Sequence, residues 1–193
     1  GRVGTLAEHG PPVRPSNSTS QRRPARPTLK EPMSLNSVVY TNILCPVDFS
    51  ECSTKAFYKA VGYCQLFGAK LTVLSVREGG APTSYDDIAT SRQTLDLLRE
   101  GLVKRLDLLQ EEGKITRAER DRITLETRNG KPFEEILRFS IVHNTDLIVM
   151  GTHGNTGFKH LFMGSQAERV VRRAPCDVLT VKPEGYDPKL DLE

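Results

Sequence analysis

Two patterns of hydrophobic residues alternate along the chain from residue 38 onward. Short apolar runs, typical of strands in a parallel sheet, predict strands at 38–47, 70–76, 122–128, 146–150 and 177–181. Apolar residues at helical spacing predict helices over 51–67, from about 85 to 112, over 132–143 and over 165–173. This alternation predicts one α/β domain, at about 38–184, with an open, mostly parallel five-stranded sheet and helices on both faces.

The pattern also assigns core positions and sheet edges. The strand at 122–128 alternates polar and apolar residues, which favours a place nearer an edge, and the strand at 177–181 is expected at an edge because it comes last. Gly68 is expected to terminate the first helix. Residues expected on the core-facing sides of the helices are Ala56, Ala60, Cys64, Phe67, Ile88, Leu95, Leu98, Leu102, Leu106, Leu109, Phe133, Ile136, Leu137 and Ile141.

Residues 1–37 differ from the rest in composition. The first 32 residues hold six of the twelve prolines, six basic groups and two acidic ones, and they show no helical or strand period. Such a segment buries too little surface to offset its ordering entropy, so we expect a disordered, basic Pro/Arg/Ser-rich tail. An alternative makes Met33 the natural start and the upstream residues an extension. Residues 185–193 are expected to be a C-terminal tail.

Charge and hydropathy exclude two classes of partner. Residues 33–193 hold 21 basic and 22 acidic groups, whereas a nucleic-acid-binding core normally carries a basic excess. No apolar run approaches the roughly 18 residues that cross a bilayer, and the first residues hold no apolar core of a secretory signal. We therefore expect no nucleic-acid partner and no membrane partner.

The four cysteines do not form a metal-binding pattern. There is no CxxC pair and no histidine at ligand spacing, so no metal site is expected in the protein itself. Cys45, Cys64 and Cys176 stand in apolar contexts and are interpreted as small core residues. Free buried thiols without an export signal favour the reducing cytoplasm.

A glycine-rich segment follows the predicted strand at 146–150. It runs Gly151-Thr-His-Gly154-Asn-Thr-Gly157, and Gly164-Ser165 then opens a helix. Glycines permit positive φ and let the backbone approach a ligand closely, and a helix N-terminus favours a phosphate. The competing interpretation is structural, because Ser165 followed by Glu168 also fits a capping box. The spacing fits neither a Walker loop nor a GxGxxG dinucleotide motif.

The chain resembles the universal stress protein family, its ATP-binding members in particular. The resemblance covers about residues 38–183. It rests on Ile43-Leu-Cys-Pro-Val-Asp48, on Asp146-Leu-Ile-Val-Met-Gly-Thr-His-Gly154, on Gly164-Ser-Gln-Ala-Glu-Arg-Val-Val, on Ala174-Pro-Cys-Asp-Val-Leu, and on the G-x2-G-x9-G-(S/T) spacing. It implies a Rossmann-like fold of the adenine nucleotide α-hydrolase type that binds ATP together with Mg²⁺.

The resemblance assigns site residues by position. Adenine would contact Pro46, Val47, Asp48 and Val76; ribose and phosphates would contact Gly151, His153, Gly154 and Gly157; and Gly164, Ser165 and Gln166 would complete the phosphate site. Asp48 has three open roles in this scheme, toward ribose, adenine or Mg²⁺, and a structural role at a helix N-terminus is a fourth. Asn155 stands where the family often has a basic residue, and Lys159 is a candidate substitute.

Three functions are compatible with this resemblance. The first is a cytoplasmic stress-response sensor or regulator that binds ATP, hydrolyses it slowly at most, and acts through a regulatory protein partner. The second is an α-hydrolase-type enzyme that activates a substrate with ATP, and the third is a scaffold without nucleotide. No acid–base or nucleophile constellation stands out near the glycine segment, so no catalytic residue is assigned. The resemblance also implies a homodimer formed through the last strand.

Overall fold

The computed structural model describes residue 1 and residues 39–79, 85–154 and 163–185, with the side chains at 85–92, 95 and 98 excepted. The predicted tails, except residues 1 and 185, therefore lie outside the described residues, as do Gly157, Asn155 and Lys159, and the core roles expected of Ile88, Leu95 and Leu98. Everything that follows concerns the unit Val38–Glu193.

Strands and helices alternate along this unit, as the apolar pattern predicts. The strands are β1 (Asn42–Val47), β2 (Lys70–Arg77), β3 (Ile123–Asn129), β4 (Leu147–Gly151) and β5 (Asp177–Val181). The helices are α1 (Glu51–Phe67), α2 (Tyr85–Glu111), α3 (Arg117–Arg120), α4 (Pro132–Val142) and α5 (Ser165–Arg173). No helix among the described residues combines the length and the apolar character that a membrane span requires.

The five strands form one parallel sheet in the order β3-β2-β1-β4-β5. Ile43 of β1 lies opposite Leu71 of β2 on one side and Leu147 of β4 on the other. The predicted α/β fold and both predicted edge strands are thus confirmed. Chain order reverses between β1 and β4, since β2 and β3 lie on one side of this pair and β5 on the other.

Each face of the sheet is covered by a separate hydrophobic cluster. One cluster packs α1 and α2 on the sheet through residues such as Phe57 and Leu106. The other packs α4 and α5 on the opposite face through residues such as Phe133 and Val170. Side chains on opposite faces of one strand belong to different clusters. In β2, Leu71 belongs to the first cluster and Leu74 to the second, and both are fully buried. This double burial explains why the central strands are almost continuously apolar.

Local signals set the ends of α1. The Ser50 side chain accepts a hydrogen bond from the Ser53 N–H at the N-terminus, and Gly68 adopts φ 63° at the C-terminus, as its position predicts. In the charged connection before β3, Thr116 and Glu119 form a capping box that the sequence interpretation did not assign.

Two details of the predicted elements are wrong. The first strand starts at Asn42 rather than at residue 38, and the Asp146 carboxylate accepts from the N–H groups of both Thr41, at 2.7 Å, and Asn42, at 3.1 Å, at this end of the strand. Ile141 was expected in the core but is 63% exposed. The buried face of α4 passes through Phe139 and Ser140, and Ile141 lies outside it.

The three cysteines interpreted as core residues behave as thiols in apolar surroundings. Cys45 and Cys64 are buried and Cys176 is half-buried, and all are free. Burial raises the pKa of the Cys176 thiol to about 11 and raises that of Cys45 further. These groups are therefore neutral at physiological pH. Cys52, which the sequence interpretation left unassigned, is buried as well.

Candidate functional site

A cleft lies at the carboxyl ends of β1 and β4, where the order of the strands reverses. In open α/β sheets a crevice forms at this reversal of strand order, because the connections leave in opposite directions. Here it is a cleft of about 440 Å³. Ten of the predicted site residues line it, namely Pro46, Val47, Asp48, Val76, Gly151, His153, Gly154, Gly164, Ser165 and Gln166. Gly157 lies outside the described residues.

One wall of the cleft is apolar and includes residues that sequence reasoning missed. Leu74 and Met150 line it together with Ile136 of α4. Leu74 could have been predicted as a site residue, because it lies two residues before Val76 and the side chains of such a pair share one face of a strand. Ile136 could not have been predicted in this way, because it comes from the helix that follows β3. The other lining residues not predicted are Ser53, Glu78, Pro132, Thr152 and Ala167.

Gly151 is held by close packing against the start of α1. A Cβ at this position would lie 3.0 Å from the Cys52 carbonyl carbon, 3.0 Å from the Ser53 nitrogen and 3.1 Å from the Cys52 Cβ. Two of these atoms belong to backbone that cannot move without shifting the helix. A larger residue here would therefore force the start of α1 to shift by a few tenths of an ångström, so the packing of the fold itself favours glycine.

Gly154 and Gly164 are also constrained by space. A Cβ on Gly154 would collide with the Asp48 Oδ2 atom, and one on Gly164 would lie 3.1 Å from the Thr152 carbonyl oxygen. Neither glycine, nor Gly151, has φ in the left-handed region. The expectation that Gly154 exploits positive φ is thus wrong, since the constraint comes from neighbouring atoms.

Asp48 forms a turn just before α1. Its Oδ1 accepts from the Ser50 N–H at 3.0 Å and from the Ser50 hydroxyl at 2.6 Å. The Ser50 hydroxyl also lies 3.4 Å from the His153 carbonyl oxygen, which is a second, more distant acceptor for the same proton. This turn thus joins the end of β1 to the glycine segment after β4. The geometry supports the structural role of Asp48 near the helix N-terminus, with the carboxylate still on the cleft wall.

Thr152 connects the glycine segment to strand β5. It is 2% exposed, and both its N–H and its hydroxyl donate to the Val181 carbonyl, at 2.9 and 3.2 Å. The same hydroxyl lies 2.9 Å from Nδ1 of His153. The Cys52 thiol also donates to the Val181 carbonyl, at 2.9 Å. Hydrogen bonds to the last residue of β5 therefore hold the start of the glycine segment in place.

The N-terminus of α5 faces the cleft but is not capped as expected. Gly164, not Ser165, is the N-cap residue, and no side chain of the described residues forms a cap hydrogen bond there, so the predicted capping box at Ser165 and Glu168 is wrong. The Gly164 N–H donates to the Thr152 carbonyl at 2.7 Å, and the helix is capped at Gly164, one residue before the predicted cap at Ser165. Ser165 is the first helical residue, exposed on the cleft.

Gln166 links α5 to α4. Its Oε1 accepts a hydrogen bond of 3.3 Å from the Phe133 N–H in the first turn of α4, where no intrahelical acceptor exists. The side chain that sequence reasoning assigned to phosphate thus also caps a neighbouring helix. The contact bridges 33 residues along the chain, so local spacing carries no signal of it.

Two of the described residues that line the cleft carry a carboxylate, Asp48 and Glu78, and they do not form a cage of ligands. Within the described ranges, no group of three His, Cys, Asp or Glu side chains is arranged to hold a metal ion. Mg²⁺ is commonly bound by one or two carboxylates together with substrate phosphates. Asp48, beside Gly154, fits that requirement, so the residues are compatible with Mg²⁺ that arrives with a nucleotide.

Comparison with known proteins gives a consistent result. The sequence model of the universal stress protein family matches residues 40–182. A universal stress protein of Methanocaldococcus jannaschii is 31% identical over 157 residues, which is 77% of this chain and 89% of that protein. The solved structure of the universal stress protein UspA from Lactobacillus plantarum is similar with a TM-score of 0.61 and 30% identity, covering 74% of this chain and 98% of that one. The chain described here belongs to the universal stress protein family.

Proposed function

We propose that the cleft binds ATP. One observation carries this proposal: apolar side chains and a phosphate-compatible backbone segment line the same cleft at the reversal of strand order. Adenine would lie against the apolar wall, where Leu74, Val76 and Met150 supply the surface. Small-molecule sites are usually of this kind, mostly apolar with a few placed polar groups.

The phosphates would lie along the glycine segment and the start of α5. The backbone at Gly154 and the first turn of α5 at Ser165 both line the cleft. Helix N-termini attract anions because their first N–H groups lack intrahelical acceptors and the helix dipole is positive there. Mg²⁺, when it enters with the nucleotide, would be held by phosphate oxygens together with Asp48, and it would offset phosphate charge.

We further propose that the nucleotide acts as a signal. The protein would be a cytoplasmic stress-response sensor or regulator whose ATP-bound state is recognised by a protein partner, with slow hydrolysis at most. The family supports the stress role. Free, reduced cysteines among the described residues support a reducing compartment.

Assembly would use strand β5. Along the described residues β5 pairs with β4 alone and lies at the edge of the sheet, with Val178, Leu179 and Thr180 half-buried. An apolar edge strand presents backbone groups that a second copy can pair with. We propose a homodimer in which two β5 strands meet.

The decisive experiment is ligand identification. Freshly purified protein is denatured and the released small molecules are analysed by mass spectrometry, and ligand-free protein is titrated with ATP and Mg²⁺ by calorimetry. ATP or ADP in the extract and micromolar affinity are expected. An adenylated small molecule would instead favour the α-hydrolase-type enzyme. No binding by ligand-free, folded protein would refute the proposal.

A further inference from the structure

Two arginines of helix α5 lie on the side of the helix that begins in the cleft. Ser165 and Gln166, in the first turn of α5, both line the cleft. Gln166 is turned by about 100° from Ser165 around the helix axis, because an α-helix makes one turn in about 3.6 residues. Arg169 and Arg173 are turned by about 40° and about 80° in the same direction. Both arginines therefore lie on the side of α5 between these two residues of the cleft wall.

The two arginines differ in their distance from the start of the helix. At a rise of about 1.5 Å per residue, Arg169 lies about 6 Å along the axis from Ser165, and Arg173 lies about 12 Å from it. Long side chains on a helix lean toward its N-terminus, so the guanidinium of Arg169 is directed toward the first turn. Arg169 is thus one turn away from the proposed phosphate position, and Arg173 is two turns away.

The guanidinium of Arg169 lies beside the cleft in a contact that can be exchanged. It lies over the ring of Phe133, 4.9 Å from the ring centroid, and the guanidinium of Arg173 lies over the same ring at 6.0 Å. The N–H of Phe133 donates to Gln166 on the cleft wall. Arg169 is exposed, and within the described part of the chain it forms no ion pair with a carboxylate. An exposed cation over a ring is held weakly, so this side chain can turn to an anion without breaking an ion pair.

The charges of the cleft wall favour an additional cation near the phosphates. Among the described residues that line the cleft, Asp48 and Glu78 carry carboxylates, and none is a lysine or an arginine. A phosphate chain next to these carboxylates is stabilised by a nearby positive charge. Arginine suits this role because its planar guanidinium donates two parallel hydrogen bonds to a phosphate.

We propose that Arg169 is a further phosphate-binding residue of the cleft. When ATP binds, its guanidinium turns from the ring of Phe133 to the phosphates at the start of α5. Arg173 keeps its contact with the ring and does not reach the ligand. This inference rests on the proposed function, because it names a residue that holds the ligand proposed there.

The test is calorimetric titration of the full chain with ATP and Mg²⁺. Arg169→Gln should weaken binding by about five- to tenfold at low salt, between the effects of an exposed ion pair and of a charge-assisted hydrogen bond. Arg169→Lys should retain part of the affinity because it retains the charge. Arg173→Gln is the matched control, since it removes a cation from the same ring, and it should bind ATP as wild type does. The loss in Arg169→Gln should shrink as salt is added, because salt screens exposed charges.

Titration with adenosine separates phosphate binding from altered packing. Adenosine has no phosphates, so Arg169→Gln and wild type should bind it equally. Unchanged ATP affinity in folded Arg169→Gln, an equal loss in Arg173→Gln, or a parallel loss for adenosine would each overturn the role of Arg169. If wild type binds ATP and Arg169→Gln binds it equally well, this role alone fails. If wild type binds no ATP, the proposed function fails and the role of Arg169 fails with it.

Discussion

Alanine at Gly151 and alanine at Gly154 should destabilise the protein for different reasons. At Gly151 the new Cβ meets the backbone of Cys52 and Ser53, at 3.0 Å from each. At Gly154 it meets the end of one side chain, the Asp48 carboxylate. Removal of the Asp48 side chain should therefore relieve the second substitution and leave the first unchanged.

The contacts allow the free energies to be worked out. Overpacking costs about 1–3 kcal/mol, and the loss of glycine flexibility in the unfolded chain returns about 0.4–1, so the midpoints of these ranges predict that Gly151→Ala destabilises by roughly 1.3 kcal/mol. Gly154→Ala displaces Asp48 from its bonds to Ser50, at 2.6 and 3.0 Å, which costs about 1 kcal/mol. In the Asp48→Ala background this cost disappears, and Gly154→Ala becomes neutral or slightly stabilising.

The assay is a double-mutant cycle on unfolding free energies from urea titration, with melting temperatures as a check at about 2–4 °C per kcal/mol. Gly154 and Asp48 should show a coupling of about 1 kcal/mol, beyond the additivity error of about 0.3–0.5. Gly151 with Asp48 is the matched control and should be additive. Equal cost of Gly154→Ala in both backgrounds, or a Gly151→Ala variant as stable as wild type, would refute the reasoning.

Three further predictions concern a helix start, a sheet edge and a cap. Ser165→Ala should change stability without ligand by less than about 0.5 kcal/mol, because Ser165 is not the cap, and a smaller rise of the melting temperature with ATP would show that it contacts nucleotide. Leu179→Pro in β5 should give monomer or aggregate in light scattering, whereas Leu125→Pro, a half-buried leucine on the opposite edge strand, should leave the association intact. The Thr116 backbone N–H holds the pKa of Glu119 below its ordinary value of 4.5, so its stabilising contribution is present above about pH 4.5 and is lost as pH falls through the lower folded value. Glu119→Gln should therefore flatten the acid side of the stability curve measured by urea titration.

The apolar pattern was sufficient to predict where the strands lie in the sequence, their burial, and which two of them lie at the edges of the sheet. Continuous runs such as that at Leu147–Gly151 can only be satisfied by a sheet covered on both faces, and the alternating run at Ile123–Asn129 does lie at an edge. The pattern failed at Ile141, because helical spacing defines a stripe but not which residues at its border meet the sheet.

The details of the site depend on contacts between distant parts of the chain. Gln166 caps a helix through Phe133, 33 residues earlier, and Thr152 bonds a strand that ends 29 residues later. The cap of α5 falls on Gly164 because its N–H reaches the Thr152 carbonyl, which the local sequence around Ser165 does not reveal. Spacing within a motif therefore indicates where a site lies, but not which groups within it are already bound to the fold.

The glycines of the motif differ in what they reveal about a ligand. Gly151 and Gly164 are favoured by close packing against the backbone of Cys52, Ser53 and Thr152, so glycine at these positions stabilises the fold whether or not a nucleotide binds. Among the described residues, a Cβ on Gly154 meets the Asp48 side chain alone, and a larger residue should be tolerated there once that side chain changes. A difference in ATP affinity between Asp48→Ala and the Asp48→Ala/Gly154→Ala double variant would therefore report on the ligand and not on folding. Gly154 is the motif position at which binding and packing can be separated.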